Sequence, residues 1–181
     1  MRWCVFCGSA PGTDPRFVEL ARELGTRLAR SAQPVVYGGG RVGLMGALAD
    51  AAMAAGGNVT GVIPQALAER EVAHGGLTDL RIVDSMHTRK ALMNELSDGF
   101  IMLPGGFGTF EEFCEVVTWV QLGIIAKPCV ILNAFGYYDP LLAMFASARE
   151  SGFINARNSA IVTVVSTVDE LLAREASQPT P

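Results

Sequence analysis

The chain has 181 residues, half of them hydrophobic and 18% charged, with a formal net charge of −4. That composition excludes a disordered chain, which needs low hydrophobicity and high net charge, and it speaks against diffuse attraction to nucleic acid or anionic lipid. The four cysteines are too few for a disulfide scaffold, and no run reaches the roughly 18 apolar residues of a spanning helix. The opening apolar run is too short for a signal peptide, so the expectation is a soluble, cytoplasmic, single-domain protein over 1–174 with a loose tail over 175–181.

A first strand is predicted over Trp3–Cys7. The helix after it carries Phe17, Leu20, Ala21, Leu24 and Leu28 on one apolar stripe. A strand at Val35–Tyr37 leads into an Ala-rich helix over Leu44–Ala55, and one at Val59–Ile63 into a less regular segment, Pro64–Thr78. Next come a strand at Leu80–Val83, a helix over Met86–Leu96, a strand at Phe100–Leu103 and a helix over Thr109–Leu122. The chain then alternates strand Cys129–Leu132, helix Tyr138–Ser151 stopped by Gly152, strand Ile161–Val165 and helix Val168–Arg174. Every strand is a short, nearly continuous apolar run, which is how strands covered on both faces read. The repeated order implies an α/β fold, a doubly wound parallel sheet with helices on both faces and ligands at the carboxyl ends of its strands.

Two glycine-rich loops join strands to helices. In Tyr37-Gly38-Gly39-Gly40-Arg41-Val42-Gly43-Leu44-Met45-Gly46, the glycines at 38, 40 and 43 fit G-x-G-x-x-G. The acid that a dinucleotide site needs some 20 residues on is missing, since that region reads Gly61-Val62-Ile63-Pro64. The loop still offers backbone N–H groups at a helix N-terminus for an anion; a tight turn with close helix–strand packing is the alternative. In Pro104-Gly105-Gly106-Phe107-Gly108-Thr109-Phe110-Glu111-Glu112, Thr109 and Glu112 fit a capping box, with Glu111 complementing the helix dipole. A capping box does not require three preceding glycines, which clear a surface where a ligand can touch the backbone.

Arg89 and Lys90 open the helix before the second loop, where cations are unfavourable. Arg89 falls on the apolar side with Met93 and Leu96 and is expected to point inward, either to a structural carboxylate or to phosphate and sugar oxygens. Cys4 and Cys7 have redox spacing, but three residues along a strand puts them on opposite faces, so they read as structural. Cys114 and Cys129 read as core or near-core. His74 and His87 share no ligand spacing with the cysteines, so no metal is expected. Lys90 and Lys127 are the only lysines, and neither has the context of a pyridoxal-phosphate site. Phe113 and Trp119 read as core.

With these motifs, the chain resembles the Lonely guy family, the cytokinin riboside 5'-monophosphate phosphoribohydrolases. The G-G-G-x-x-G-L-M-G pattern is complete over Gly38–Gly46 and the P-G-G-x-G-T-x-x-E pattern over Pro104–Glu112. The resemblance runs from about Cys7 to Ile131. It implies a Rossmann-like fold, a homodimer or an assembly of dimers, and hydrolysis of N6-substituted adenosine 5'-monophosphates to free base and ribose 5-phosphate with no cofactor. Some relatives carry the label lysine decarboxylase, against which the pyridoxal argument speaks. By position, Arg89 and Glu112 match the family's catalytic pair. Glu71, Lys90, Gly106, Phe107, Gly108, Thr109, Phe110, Glu111 and Thr118 match its nucleotide contacts; Gly8, Ser9, Gly39, Gly40, Met45 and Gly46 are expected to line the pocket. Thr118 stands six residues from Glu112 on another side of the helix, which suggests contact through a second subunit or a curved pocket. Glu112 is expected to steady an oxocarbenium-like sugar, and the amides of Gly106–Thr109 to hold the 5'-phosphate. A non-catalytic nucleotide or molybdenum-cofactor carrier and a general nucleotide nucleosidase are the rival readings.

Overall fold

A computed structural model of the chain describes residues 1–68 and 73–176. Its elements run β1 (Trp3–Phe6), α1 (Arg16–Arg30), β2 (Val35–Tyr37), α2 (Gly43–Ala54), β3 (Val59–Pro64), α3 (Gln65–Ala68), β4 (Asp79–Val83) and α4 (Met86–Glu95). They continue as β5 (Gly99–Met102), α5 (Phe107–Gln121), β6 (Cys129–Leu132), a 3-10 turn (Ala134–Gly136), α6 (Asp139–Glu150), α7 (Ala156–Ser159), β7 (Val162–Val165) and α8 (Val168–Ala176). The strands form one sheet in the order β4-β3-β2-β1-β5-β6-β7, and every neighbouring pair is parallel. The chain therefore winds outward from β1 to β4, returns to the other side of β1 at β5, and winds outward again. The reversal leaves a crevice beyond the carboxyl ends of β1 and β5, where ligands bind in folds of this kind.

The sheet separates two apolar layers. Trp3, Val5 and Cys7 face a cluster closed by α1, α2 and α8, whereas Cys4 and Phe6 face one closed by α4, α5 and α6. The alternation confirms the opposite-face reading of Cys4 and Cys7. On the first face α1 buries Leu20, Ala21, Leu24, Gly25 and Leu28, and at Gly25 it comes so close to α2 that an added Cβ would lie 2.3 Å from the Leu48 carbonyl oxygen. The second face is more thinly covered. There α4 buries only Arg89 and Met93, and α6 buries no residue.

Candidate active site

The two glycine loops meet over the crevice, but they do different work. In the first loop the N–H groups of Leu44 and Met45 both donate to the Gly8 carbonyl, at 3.0 and 3.4 Å. Two of the amides expected to be available for an anion are thus taken by the turn after β1. Gly43, at φ +61°, lets the loop pass: a Cβ there would lie 2.4 Å from the Ser9 carbonyl carbon. Gly39, at φ +78°, lies against Val62 and Ile63, while a Cβ at Gly46 would meet the Arg41 carbonyl. Gly40 bridges to Ala73. These positions hold the loop together, and close packing wins there over anion binding.

The second loop is different. Helix α5 starts at Phe107 with Gly106 as its extended N-cap (φ −104°, ψ −153°), and no side chain caps it. The expected capping box does not form, because the helix begins two residues earlier and Thr109 is already its third residue. Thr109 is buried against Gly105 and Glu112 sits in the second turn, beyond the reach of a cap. A Cβ at Gly106 or Gly108 would meet nothing within 4 Å, and neither residue has a positive φ. The fold does not require glycine at these two positions, and the uncapped first turn suits an anion.

Arg89 and Glu112 close the floor. Their side chains are 8% and 9% exposed, and Nη1 of Arg89 donates to Oε1 of Glu112 at 2.8 Å. Nε of Arg89 donates to the Val62 carbonyl at 3.0 Å and Nη2 to the Gly38 carbonyl at 3.4 Å, so β3 and the first loop aim the guanidinium. Gly38 is small because a Cβ there would stand 2.1 Å from Nη2. The inward arginine expected from the helix pattern is observed, and its carboxylate is the one that was suspected of capping. Above the pair lies a cavity of about 200 Å³, walled by Gly8, Ser9 and Met45 on one side and by Gly106–Thr109 on the other. Past Gly8, Ser9 and Gly106 it adjoins a more apolar cavity of about 310 Å³ faced by Phe17, Leu44 and Tyr137.

Burial, and then the charge of Glu112, push the thiols of Cys4 and Cys7 well above the usual range, so both are neutral. Among the described residues no group of three or more His, Cys, Asp and Glu side chains is placed to hold a metal.

The family model described as "Possible lysine decarboxylase" matches residues 45–174. The cytokinin riboside 5'-monophosphate phosphoribohydrolase of Rhodococcoides fascians is 51% identical over 93% of this chain and 86% of its own length. The chain belongs to the Lonely guy family. A phosphoribohydrolase of that name from Arabidopsis thaliana is 44% identical over 96% of this chain and 81% of its own. Among solved structures, the molybdenum cofactor carrier protein of Chlamydomonas reinhardtii superposes with a TM-score of 0.70 at 20% identity, over 97% of this chain and 95% of that one. DNA processing protein A of Helicobacter pylori does so at 0.62 and 14%, over 98% of this chain and 80% of that one. At such identities these likenesses show the fold alone.

The remaining positions carried over from the Lonely guy family are placed as follows. Lys90 is fixed by Oε1 of Glu111 at 2.5 Å and Oε1 of Glu115 at 3.0 Å. Burial alone would lower its pKa, but these two hydrogen bonds hold it above the ordinary lysine value. Glu111 therefore turns outward to its own cation and does not face the cavity. Phe107 is exposed and meets Phe110 edge-on at 6.4 Å. Thr118 is also exposed, its hydroxyl donating to the Cys114 carbonyl, and it lies outside the cavity. Gly39, Gly40 and Gly46 are not in the cavity wall. Glu71 falls outside the described residues. Phe113 is buried and Trp119 packs on the same cluster, as expected of core residues. The reading of the sequence missed Tyr137 and Tyr138, which touch the second loop from behind; their only signal was a pair of aromatics after a strand end.

Proposed function

We infer that this chain hydrolyses the N-glycosidic bond of cytokinin riboside 5'-monophosphates, and of AMP, to free base and ribose 5-phosphate. The observation that carries this is a buried carboxylate–guanidinium pair at the floor of a cavity whose upper edge is an uncapped, glycine-cleared helix start. The 5'-phosphate takes the amides of Gly106–Thr109, which sets the ribose over Glu112. As the bond from C1' to the base breaks, positive charge grows on the sugar, and the Glu112 carboxylate steadies it. Water delivers its oxygen to C1' while its hydrogen ends on the departing base. A guanidinium is a poor proton donor, so Arg89 orients Glu112 and binds ligand oxygens but does not act as the acid. Thin cover on the α4–α5–α6 face supports a homodimer or an assembly of dimers. A nucleotide substrate is in keeping with a cytoplasmic setting and one catalytic domain over 1–174.

The structural likeness to molybdenum cofactor carriers supports a shared fold, and the relatives above 40% identity favour the hydrolase. Adenine release from AMP by the purified protein tests the assignment. Glu112→Gln, which keeps a hydrogen-bonding partner for Arg89, is expected to lower kcat by at least about 100-fold while the protein stays folded. Glu112→Ala would strand a buried guanidinium, at a cost of about 3–5 kcal/mol, and so mixes catalysis with stability. Full activity in Glu112→Gln would overturn the assignment.

A further inference from the structure

The amides of Gly106–Thr109 can hold a phosphate only if the segment before them is fixed. Backbone bonds from Leu103 N–H to the Phe6 carbonyl at 2.9 Å and from Gly8 N–H to the Pro104 carbonyl at 3.0 Å tie its front edge to β1 and the turn after it, and the carbonyls of Leu103 and Gly105 face the other way. Two adjacent tyrosines fix it from behind. The Tyr138 hydroxyl, on a side chain 1% exposed, donates to the Leu103 carbonyl at 2.6 Å, and the Tyr137 hydroxyl donates to the Gly105 carbonyl at 2.7 Å. The hydroxyls come from the two residues that join the 3-10 turn to α6, and neither residue lines the cavity above Arg89 and Glu112.

That turn is itself held under strain. Phe135, a non-glycine residue, sits at φ +59° beside Gly136 at φ +69°, a conformation that persists only when its surroundings over-determine it. Here they do. Asn133 accepts a hydrogen bond from the Tyr138 N–H at 2.7 Å and donates one to Asp139 at 2.7 Å, and the Phe135 ring lies 4.3 Å beneath the Arg16 guanidinium. The Tyr137 ring stands edge-on to Phe17 at 5.3 Å and to Tyr138 at 4.9 Å. We propose that Tyr137 and Tyr138 are positioning residues for the phosphate cradle, setting the carbonyls of Leu103 and Gly105 so that the α5 amides converge on the 5'-phosphate. This rests on the reading of Gly106–Thr109 as the phosphate seat.

The test compares wild type, Tyr137→Phe and Tyr138→Phe in the hydrolysis of AMP, with ribose 5-phosphate as a competitive inhibitor. Losing one such hydrogen bond is expected to raise KM for AMP and KI for ribose 5-phosphate together by about fivefold, with kcat within about twofold of wild type. A merely structural role would lower the melting temperature and kcat and leave KI where it was. An unchanged KI in Tyr137→Phe overturns the proposal, and that variant decides alone if the buried Tyr138→Phe does not fold. A wild type that releases adenine yet ignores ribose 5-phosphate would overturn the phosphate seat and leave the hydrolase standing. No release at all would overturn the hydrolase.

Discussion

Gly108 and Gly25 are both helical glycines, and they differ in what surrounds them. A methyl group at Gly25 collides with the neighbouring helix, so that position is small for packing. At Gly108 a methyl meets nothing, and in a helix alanine is worth about 0.5–1 kcal/mol more than glycine. Something other than stability holds glycine at 108. Gly108→Ala is expected to raise the melting temperature by about 2–3 °C while raising KM for AMP about tenfold, as the methyl enters the space the phosphate needs. Calorimetry beside initial-rate kinetics checks both halves; an unchanged KM would remove the phosphate from that site. Such distinctions were only partly legible in the sequence. Both loops read as glycine-rich turns before helices, and the three glycines near Glu112 exceed what a capping box needs. What spacing could not show is that the Gly8 carbonyl takes the amides of Leu44 and Met45, a contact between residues about 36 positions apart. Nor could it show that Glu112 pairs with Arg89, since a helix start placed two residues late makes a capping box plausible.

At the scale of elements, periodicity located all seven strands and the six long helices within a few residues, because each must bury a continuous apolar run or stripe. The short α3, α7 and the 3-10 turn were not visible: four residues or fewer carry no period. The 3-10 turn leads directly into the tyrosines behind the cradle, so an element too short for a pattern helps to set the site's geometry. The α1–α2 pair shows the opposite case, where pattern and packing agree. Leu24 and Leu28 on α1 and Leu48 and Ala52 on α2 interlock with Gly25 between them. Gly25→Ala is expected to destabilise the protein by about 2 kcal/mol, since forcing apart two packed helices costs about 3 kcal/mol against a gain of about 1 kcal/mol in helix propensity. A urea midpoint that rises in this variant would mean that the helices have slack between them. The active site stands on the other end of α2 and on α4 and α5, so kcat measured well below the melting temperature is expected to be unchanged.

For the molecule as a whole, the unequal cover on the two faces of the sheet bears on assembly. On one face α1 and α2 bury five and six residues; on the other α4 and α5 bury two and four, and α6 none. Leu141, Leu142, Phe145 and Trp119 are left half-buried on that side, and Leu122 and Ile124 are each 64% exposed just past the end of α5. Glu111, Glu115, Thr118 and Leu122 recur at helical spacing along the outward side of α5, so Thr118 stands on the uncovered face and not in the cavity. A partner copy covering this face would bury the leucine and isoleucine and bring its own α5 towards the mouth of the site. Sedimentation is then expected to give twice the chain mass of 19.2 kDa, and Leu122→Glu combined with Ile124→Glu, which would place two carboxylates in an apolar contact, to give the chain mass alone. If the partner completes the site, the separated chains lose most of their adenine release at unchanged secondary structure, and Thr118→Ala weakens AMP binding in the dimer but not in the charged variant. Full activity in a monomeric double variant would mean that one chain holds the whole site, and the outward threonine would then have no part in binding.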